Sequence, residues 1–302
     1  MKLTVLGCYA ATPRTLTNPT SQVLEINNHL FLIDCGEGTQ VELRRHKIKF
    51  FRIKHIFISH LHGDHVYGLV GLISTFKMLK RETPLHVYGP KGIKELITVQ
   101  LKLSNSWTDY PLHFHELESK ESELIFEDEK VTVKTIPLQH RVYCNGYLFE
   151  EKPNERKLNF NAVVNNNIEE AYYKSIKKGK DITLESGKVI PNSELTFDPV
   201  PSKSYAFCSD TKYDEQKIPL LKNVTVLYHE STFLNSHEHL CDFTGHSTAK
   251  QAATIAKKAN VSKLLLGHYS TRYGAINKFK EEALEVFNDV ELAEDGKSFE
   301  WK

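Results

Sequence analysis

Ser59-His60-Leu61-His62-Gly63-Asp64-His65 places four side chains able to ligate a metal within six residues. Imidazole nitrogen and carboxylate oxygen are donors that divalent zinc takes, and small Gly63 lets one loop aim several of them at a common point. His60 and His62, two positions apart, can share one ion, while Asp64 and His65 can reach a second one displaced along the backbone. A pair of such ions supports hydrolytic chemistry. A polar surface loop and a one-metal structural site are the competing readings. Both are disfavoured because histidines this dense beside an apolar run are costly to leave without a partner.

Three later residues repeat the placement. His140 lies beyond the β-branched run 131–136 and Pro137, Asp210 follows 204–208, and His268 follows Leu264-Leu265-Leu266-Gly267. Each puts a metal-compatible group at the carboxyl end of a strand, where open α/β sheets assemble their sites. Asp210 suits a bridging role, since one carboxylate can offer an oxygen to each of two cations. A strand-end turn for Asp210 and packing roles for His140 and His268 stay open. Asp34, which ends the run 30–33, could hold a ligand imidazole by its second nitrogen or cap the turn that follows. Gly36 and Gly38 could cradle a phosphate or simply make a tight turn.

The elements that must carry these residues can be read from periodicity. Strands are expected at 3–7, 22–26, 30–33, 53–58, 85–88, 131–136, 204–208, 224–228 and 264–267, with Asn27-Asn28 closing a hairpin. Helices are expected near 41–45, over 66–80, from about 91, over 248–258 and over 275–287, and a short strand ends at Trp301. Met78 and the aromatic residues of these elements are read as core. Residues 146–203 are less regular: 168–178 reads as a short helix ending in Lys174, Lys177, Lys178 and Lys180, and 182–190 as a small hairpin. That lysine cluster suits RNA phosphates or an ordinary solvated helix end.

Composition sets the outer bounds. The 302 residues are 40% apolar and 25% charged, which reads as globular rather than disordered, and the formal charge of +1 supplies no global attraction to a polyanion. No run is apolar enough to span a bilayer and no leader is evident, so no membrane partner is expected and cytoplasmic is the default location. The five cysteines are scattered without a CxxC, which suggests neither a disulfide framework nor a zinc ribbon.

His60-Leu61-His62-Gly63-Asp64-His65 with His140, Asp210 and His268 behind it resembles the metallo-β-lactamase superfamily. Asp34-Cys35-Gly36-Glu37-Gly38-Thr39-Gln40, Ser209-Asp210-Thr211, His229-Glu230-Ser231-Thr232 and Gly245-His246-Ser247-Thr248 narrow the resemblance, over essentially the whole chain, to the short form of ribonuclease Z. It implies an α/β fold over residues 1–302, an αβ/βα sandwich of two central mixed sheets with outer helices and a protruding arm. It also implies two Zn2+ per subunit, with His60, His62 and His140 on one, Asp64, His65 and His268 on the other, and Asp210 bridging. The implied activity is endonucleolytic removal of the 3′ trailer from precursor tRNA, leaving a 3′ hydroxyl on the tRNA and a 5′ phosphate on the trailer. Asp64 would orient the attacking water or take its proton, His246 would protonate the departing oxygen, and Glu230 would orient His246. A homodimer is implied, with the inserted tRNA-binding arm within 146–203. The family's glycine-proline signature is absent there, where Asn165-Asn166-Asn167-Ile168-Glu169-Glu170 stands instead. Another two-zinc hydrolase acting on a small substrate, or a noncatalytic RNA-binding protein, would be the alternatives.

Overall fold

The computed structural model describes residues 1–12 and 14–301. Its first half builds β1 (Lys2–Gly7), β2 (Ser21–Ile26), β3 (His29–Ile33), β4 (Ile53–Phe57), β5 (Leu85–Pro90) and β6 (Leu112–Leu117). Asn27 and Asn28 close the β2–β3 hairpin at φ of 45° and 70°, a region that Asn enters more readily than most residues. Four helices alternate with these strands: α1 (Thr39–Arg45), α2 (Gly63–Val66), α3 (Gly68–Met78) and α4 (Ile93–Leu103). The apolar stripe expected over 66–80 is therefore two helices that meet at Tyr67, and helical structure begins already at Gly63. The break is packed rather than loose. Gly68 N–H donates to the Cys35 carbonyl at 2.9 Å, and a Cβ on Gly68 would stand 2.1 Å from the Gly36 carbonyl oxygen. Only glycine lets α3 start this close to the end of β3. Met78 departs from the core reading: Leu69, Leu72, Ile73 and Phe76 form the buried stripe, and Met78 falls outside it, 73% exposed.

The chain continues through β7 (Leu124–Glu127), β8 (Val131–Leu138) and β9 (Cys144–Glu151). Residues 151–203 then form a compact unit of their own. Residues 146–150, which the arm was expected to include, belong instead to β9, because Tyr147 and Phe149 are buried in the main core. The unit holds β10 (Lys157–Leu158), α5 (Phe160–Asn165), α6 (Tyr173–Lys177), β11 (Ile182–Thr183), β12 (Val189–Ile190), α7 (Asn192–Leu195) and β13 (Thr196–Phe197) around Val163, Ile168, Ile176, Ile182, Ile190 and Leu195. The helix read over 168–178 shrinks to a 3-10 turn followed by α6. Asn192 pins that turn region by donating from Nδ2 to the Ile176 and Lys180 carbonyls at 2.7 and 2.9 Å.

The remainder supplies β14 (Ser204–Cys208), α8 (Ile218–Leu221), β15 (Val226–Glu230), α9 (Cys241–Thr244), α10 (Ala249–Lys258), β16 (Lys263–Gly267), α11 (Asn277–Leu284), β17 (Val290–Leu292) and β18 (Ser298–Glu300). Thr248 caps α10 in a reciprocal box with Gln251, an arrangement worth about 1 kcal/mol that fixes how the chain enters the helix just after His246. Two seven-stranded mixed sheets result, ordered β18-β1-β2-β3-β4-β5-β6 and β17-β16-β15-β14-β9-β8-β7. β3 to β6 run parallel in the first, as do β14 to β17 in the second. Phe31 and Phe57 of the first sheet pack on Phe149 of the second, with ring centroids 5.3 Å apart in both pairs. Helices α1, α3 and α4 bury their apolar faces on the far side of the first sheet, while the alanines of α10 join Phe279 and Ala283 of α11 in the large core. This is the expected αβ/βα sandwich of two mixed sheets with outer helices, with both parallel runs bringing strand ends to one rim.

Candidate metal and catalytic site

Every residue singled out for metal binding lies just past the end of a strand or on the turn that follows. Asp34 ends β3, residues 59–65 follow β4, His140 follows β8, Asp210 follows β14 and His268 follows β16. The structure differs from a single ligand loop in one respect: Asp64 and His65 sit on the first turn of α2, with the His65 ring 4.2 Å from that of His60. Asp34, Asp210 and His268 adopt φ of 56°, 37° and 57°, which is uncommon for non-glycine residues. Three such corners at one rim mark a site whose geometry the surrounding fold holds in place.

The donors converge in two groups about Asp210. His60 Nε2, His62 Nδ1 and His140 Nε2 lie together, with the first pair 2.9 Å apart and the second 3.3 Å. Asp210 Oδ2 stands 3.6 Å from His60 Nε2 and 3.8 Å from His140 Nε2. Its other oxygen, Oδ1, stands 3.3 Å from His65 Nε2 and 3.1 Å from His268 Nε2. Asp64 Oδ2 completes that side, 3.3 Å from His65 Nε2 and 3.7 Å from His268 Nε2. The Nε2 atoms of His65 and His268 are buried without a hydrogen-bond partner. Buried polar atoms are rarely left so, and one cation between them on the Oδ1 side of Asp210 would satisfy both.

Hydrogen bonds behind the donors fix the rings. Asp34 Oδ2 accepts from His65 Nδ1 at 2.7 Å and from the Ser59 hydroxyl at 2.9 Å, and that hydroxyl lies 3.0 Å from His60 Nδ1. Of the two readings for Asp34, the ligand-orienting one matches this geometry. Gly36 beside it makes a close approach rather than an open cradle, for a Cβ there would stand 2.5 Å from the Asp64 carbonyl oxygen. His140 Nδ1 donates to the Gly245 carbonyl at 2.8 Å. Glu230 lies inside β15, fully buried, rather than in the loop after it. Its Oε1 accepts from His246 Nδ1 at 2.9 Å and Thr211 N–H at 3.0 Å, and its Oε2 accepts from the Thr232 hydroxyl at 2.7 Å. That hydroxyl is 2.9 Å from His268 Nδ1. Sequence reasoning assigned no role to Ser59, Thr232 or the Gly245 carbonyl. A hydroxyl directly beside a ligand or carboxylate at a strand end is the signal that could have found the first two.

Charge follows the same plan. Burial would raise the Asp210 carboxyl, but His268, His65 and His60 outweigh it and hold the group well below its ordinary value. His60 is pushed the other way, by burial and by the neighbouring His65. Burial works against a proton on His246, yet the Glu230 carboxylate and its hydrogen bond raise this imidazole to about 9. Glu230 itself sits at about 2, because His246 overcomes the burial that would raise it. With Nδ1 committed to Glu230, His246 has Nε2 free. A cavity of about 380 Å³ covers the cluster, lined by His62, Asp64, Arg141, Asp210, His246 and His268 among others.

Comparison with known proteins extends over nearly the full length. The family model described as Anti-Pycsar protein Apyc1 matches residues 1–287. Ribonuclease Z of Bacteroides thetaiotaomicron is 44% identical over 292 residues, covering 97% of this chain and 92% of that protein. Ribonuclease Z of Cytophaga hutchinsonii is 45% identical over 299 residues, 99% of this chain and 95% of that one. Among solved structures, the short form of human tRNase Z aligns with a TM-score of 0.72 at 26% identity and covers 99% of each chain. The metallo-β-lactamase fold protein YhfI from Bacillus subtilis aligns at 0.68 with 19% identity, covering 99% of this chain and 98% of that one, a likeness of fold.

Proposed function

Because the chain belongs to the ribonuclease Z family and falls under the Anti-Pycsar protein Apyc1 family model, we propose the following assignment of its site. The protein is a metal-dependent endoribonuclease that removes the 3′ trailer of precursor tRNA near the discriminator nucleotide, leaving a tRNA 3′ hydroxyl and a trailer 5′ phosphate. His60, His62 and His140 would hold one Zn2+ and Asp64, His65 and His268 the other, with Asp210 available to both. The observation that carries this is the division of Asp210, with Oδ2 toward His60 and His140 and Oδ1 toward His65 and His268. The ions, when bound, supply a water nucleophilic at neutral pH and offset the charge that develops on the phosphate.

The chain's own groups do the rest. Asp64 lines the cavity and orients the attacking water as its proton acceptor. His246, its Nδ1 fixed on Glu230, presents a protonated Nε2 and gives that proton to the departing 3′ oxygen. Glu230 positions His246 directly and His268 through Thr232. The unit 151–203 is the tRNA-gripping arm, with Lys174, Lys177, Lys178 and Lys180 as its phosphate contacts, and the enzyme works as a homodimer in the cytoplasm.

End-labelled precursor tRNA incubated with purified, metal-stripped protein, with and without added zinc, tests this assignment. Zinc-dependent cutting at the discriminator boundary that leaves a 3′ hydroxyl is expected. Turnover confined to small phosphodiesters at full metal occupancy would overturn it.

A further inference from the structure

One buried charge has no part in the steps above. Lys217 ends a 3-10 turn, Glu215–Lys217, is 2% exposed and makes no ion pair among the described residues. Burying an ammonium without a carboxylate is costly, so a side chain that only filled space here would be apolar. The Nζ of Lys217 instead donates to Thr211 Oγ1 at 3.0 Å and to the Lys212 carbonyl at 3.4 Å.

Thr211 is where the corners of the site are tied together. It follows Asp210, and its N–H donates to Glu230 Oε1 at 3.0 Å. Its carbonyl accepts from the hydroxyl of Ser247, next to His246, at 2.6 Å. Its Oγ1 accepts from the N–H of Gln139, next to His140, at 3.2 Å and donates to the Lys212 carbonyl at 3.0 Å. A hydroxyl has one proton and two lone pairs. Lys212 takes the proton and Gln139 one lone pair, so the Lys217 ammonium fills the last place and fixes the rotor. The Thr211 N–H is thereby kept on the same Glu230 oxygen that accepts from His246 Nδ1. Thr232 N–H and its hydroxyl hold the other oxygen, at 2.9 and 2.7 Å, which leaves this carboxylate a single orientation.

We propose that Lys217 is a positioning residue for proton transfer: through Thr211 it holds Glu230, and Glu230 aims His246 at the departing 3′ oxygen. The role rests on the RNA-cleaving reading above. In that reaction the water oxygen bonds to phosphorus, the bond from phosphorus to the 3′ oxygen breaks, and the His246 proton ends on that oxygen.

The test uses zinc-loaded, full-length enzyme and two precursors, one natural and one with sulfur replacing the 3′ oxygen at the cut, because a thiolate leaves without a proton. Lys217→Met should keep its zinc and its precursor affinity and lose about 10–100-fold in single-turnover rate on the natural precursor, the order of cost for a misplaced catalytic group. The sulfur-linked precursor should recover most of that loss, and Lys217→Gln, which retains an N–H donor, should lose less. Added to His246→Ala, the Lys217→Met change should slow cleavage no further, since two residues on one path are not additive. Loss of zinc, equal slowing on both precursors, or a loss that adds to that of His246→Ala would make Lys217 a general structural support and overturn the positioning role, as would an unchanged rate. A wild type at full zinc content that cuts neither precursor would overturn the RNA reading and the role with it.

Discussion

Ser59 and Thr232 hold matching places on the two sides of the site. Each follows a strand of its own sheet, lies within 2.9 Å of a buried carboxylate, on Asp34 and Glu230 respectively, and meets the Nδ1 of an imidazole in the donor cluster, His60 or His268. Each hydroxyl can donate only one proton, so donation to the carboxylate leaves its lone pair to accept from the imidazole N–H. Nε2 is thereby left as the metal-facing donor. Ser59→Ala and Thr232→Val should each weaken zinc binding by roughly 10–100-fold, the usual cost of losing a group that orients a ligand. Titration against a chromophoric chelator measures it, and unchanged affinity in both variants would sink the relay.

His246→Ala should lower kcat by about 10²–10⁴-fold at full zinc content, since it removes a proton donor and no ligand. Glu230→Gln should give a smaller fall. If metal analysis of the His246 variant finds one ion missing, the residue is a ligand and not the acid.

Gly245 sits at φ 78°, and a Cβ there would stand 2.7 Å from His140 Nδ1. Under the proposed ligand assignment, Gly245→Ala should displace His140 and loosen an ion held by His60, His62 and His140, leaving the other. Stepwise metal release, with one ion lost at markedly lower chelator concentration than in wild type, is the expected profile.

Replacing Lys177 and Lys178 by alanine should weaken precursor binding and lower the slope of log affinity against log salt, by about 0.9 for each lysine that neutralises a phosphate. Lys178 is exposed and Lys177 half-buried in α6. An unchanged slope removes them from the interface.

His55 provides a handle on stability. Its ring lies 4.6 Å from Phe126 and 5.2 Å from His86, and burial, then His86, His29, His115 and Lys54, push it from 6.5 down to about 3. Below pH 6.5 the unfolded chain takes up a proton here that the folded chain refuses, so stability is whole above that value and declines toward pH 3. The slope is at most about 1.4 kcal/mol per pH unit. Thermal melts of zinc-loaded protein between about pH 7 and 5 should fall less steeply for His55→Phe than for wild type; parallel curves would exclude His55 as a cause.

The convergence of His and Asp side chains at one rim was legible because strand ends are legible: an apolar run followed by His or Asp betrays both the strand and the rim it serves. Helix limits were harder. The stripe from Leu69 to Phe76 continues the periodicity of Val66, and nothing in it reports that Gly68 must clear the Gly36 carbonyl, a contact made across sequence. Ser59 and Thr232 were silent for the same reason, since a hydroxyl declares its role only once a distant carboxylate is placed beside it. In the 151–203 unit, α5 hid behind its asparagines, where Asn159 accepts from Ala162 N–H as an N-cap. β17 spans only Val290–Leu292, too short to show alternation.

The pairing of β18 with β1 sets an order in time. β1 is synthesised well before β18, so its outer edge waits for residues 298–300, while Met1 and Trp301 join by backbone hydrogen bonds. His268 too comes long after His60. A chain still on the ribosome therefore carries an open β1 edge until β18 is made and an unfinished donor set until His268 is made.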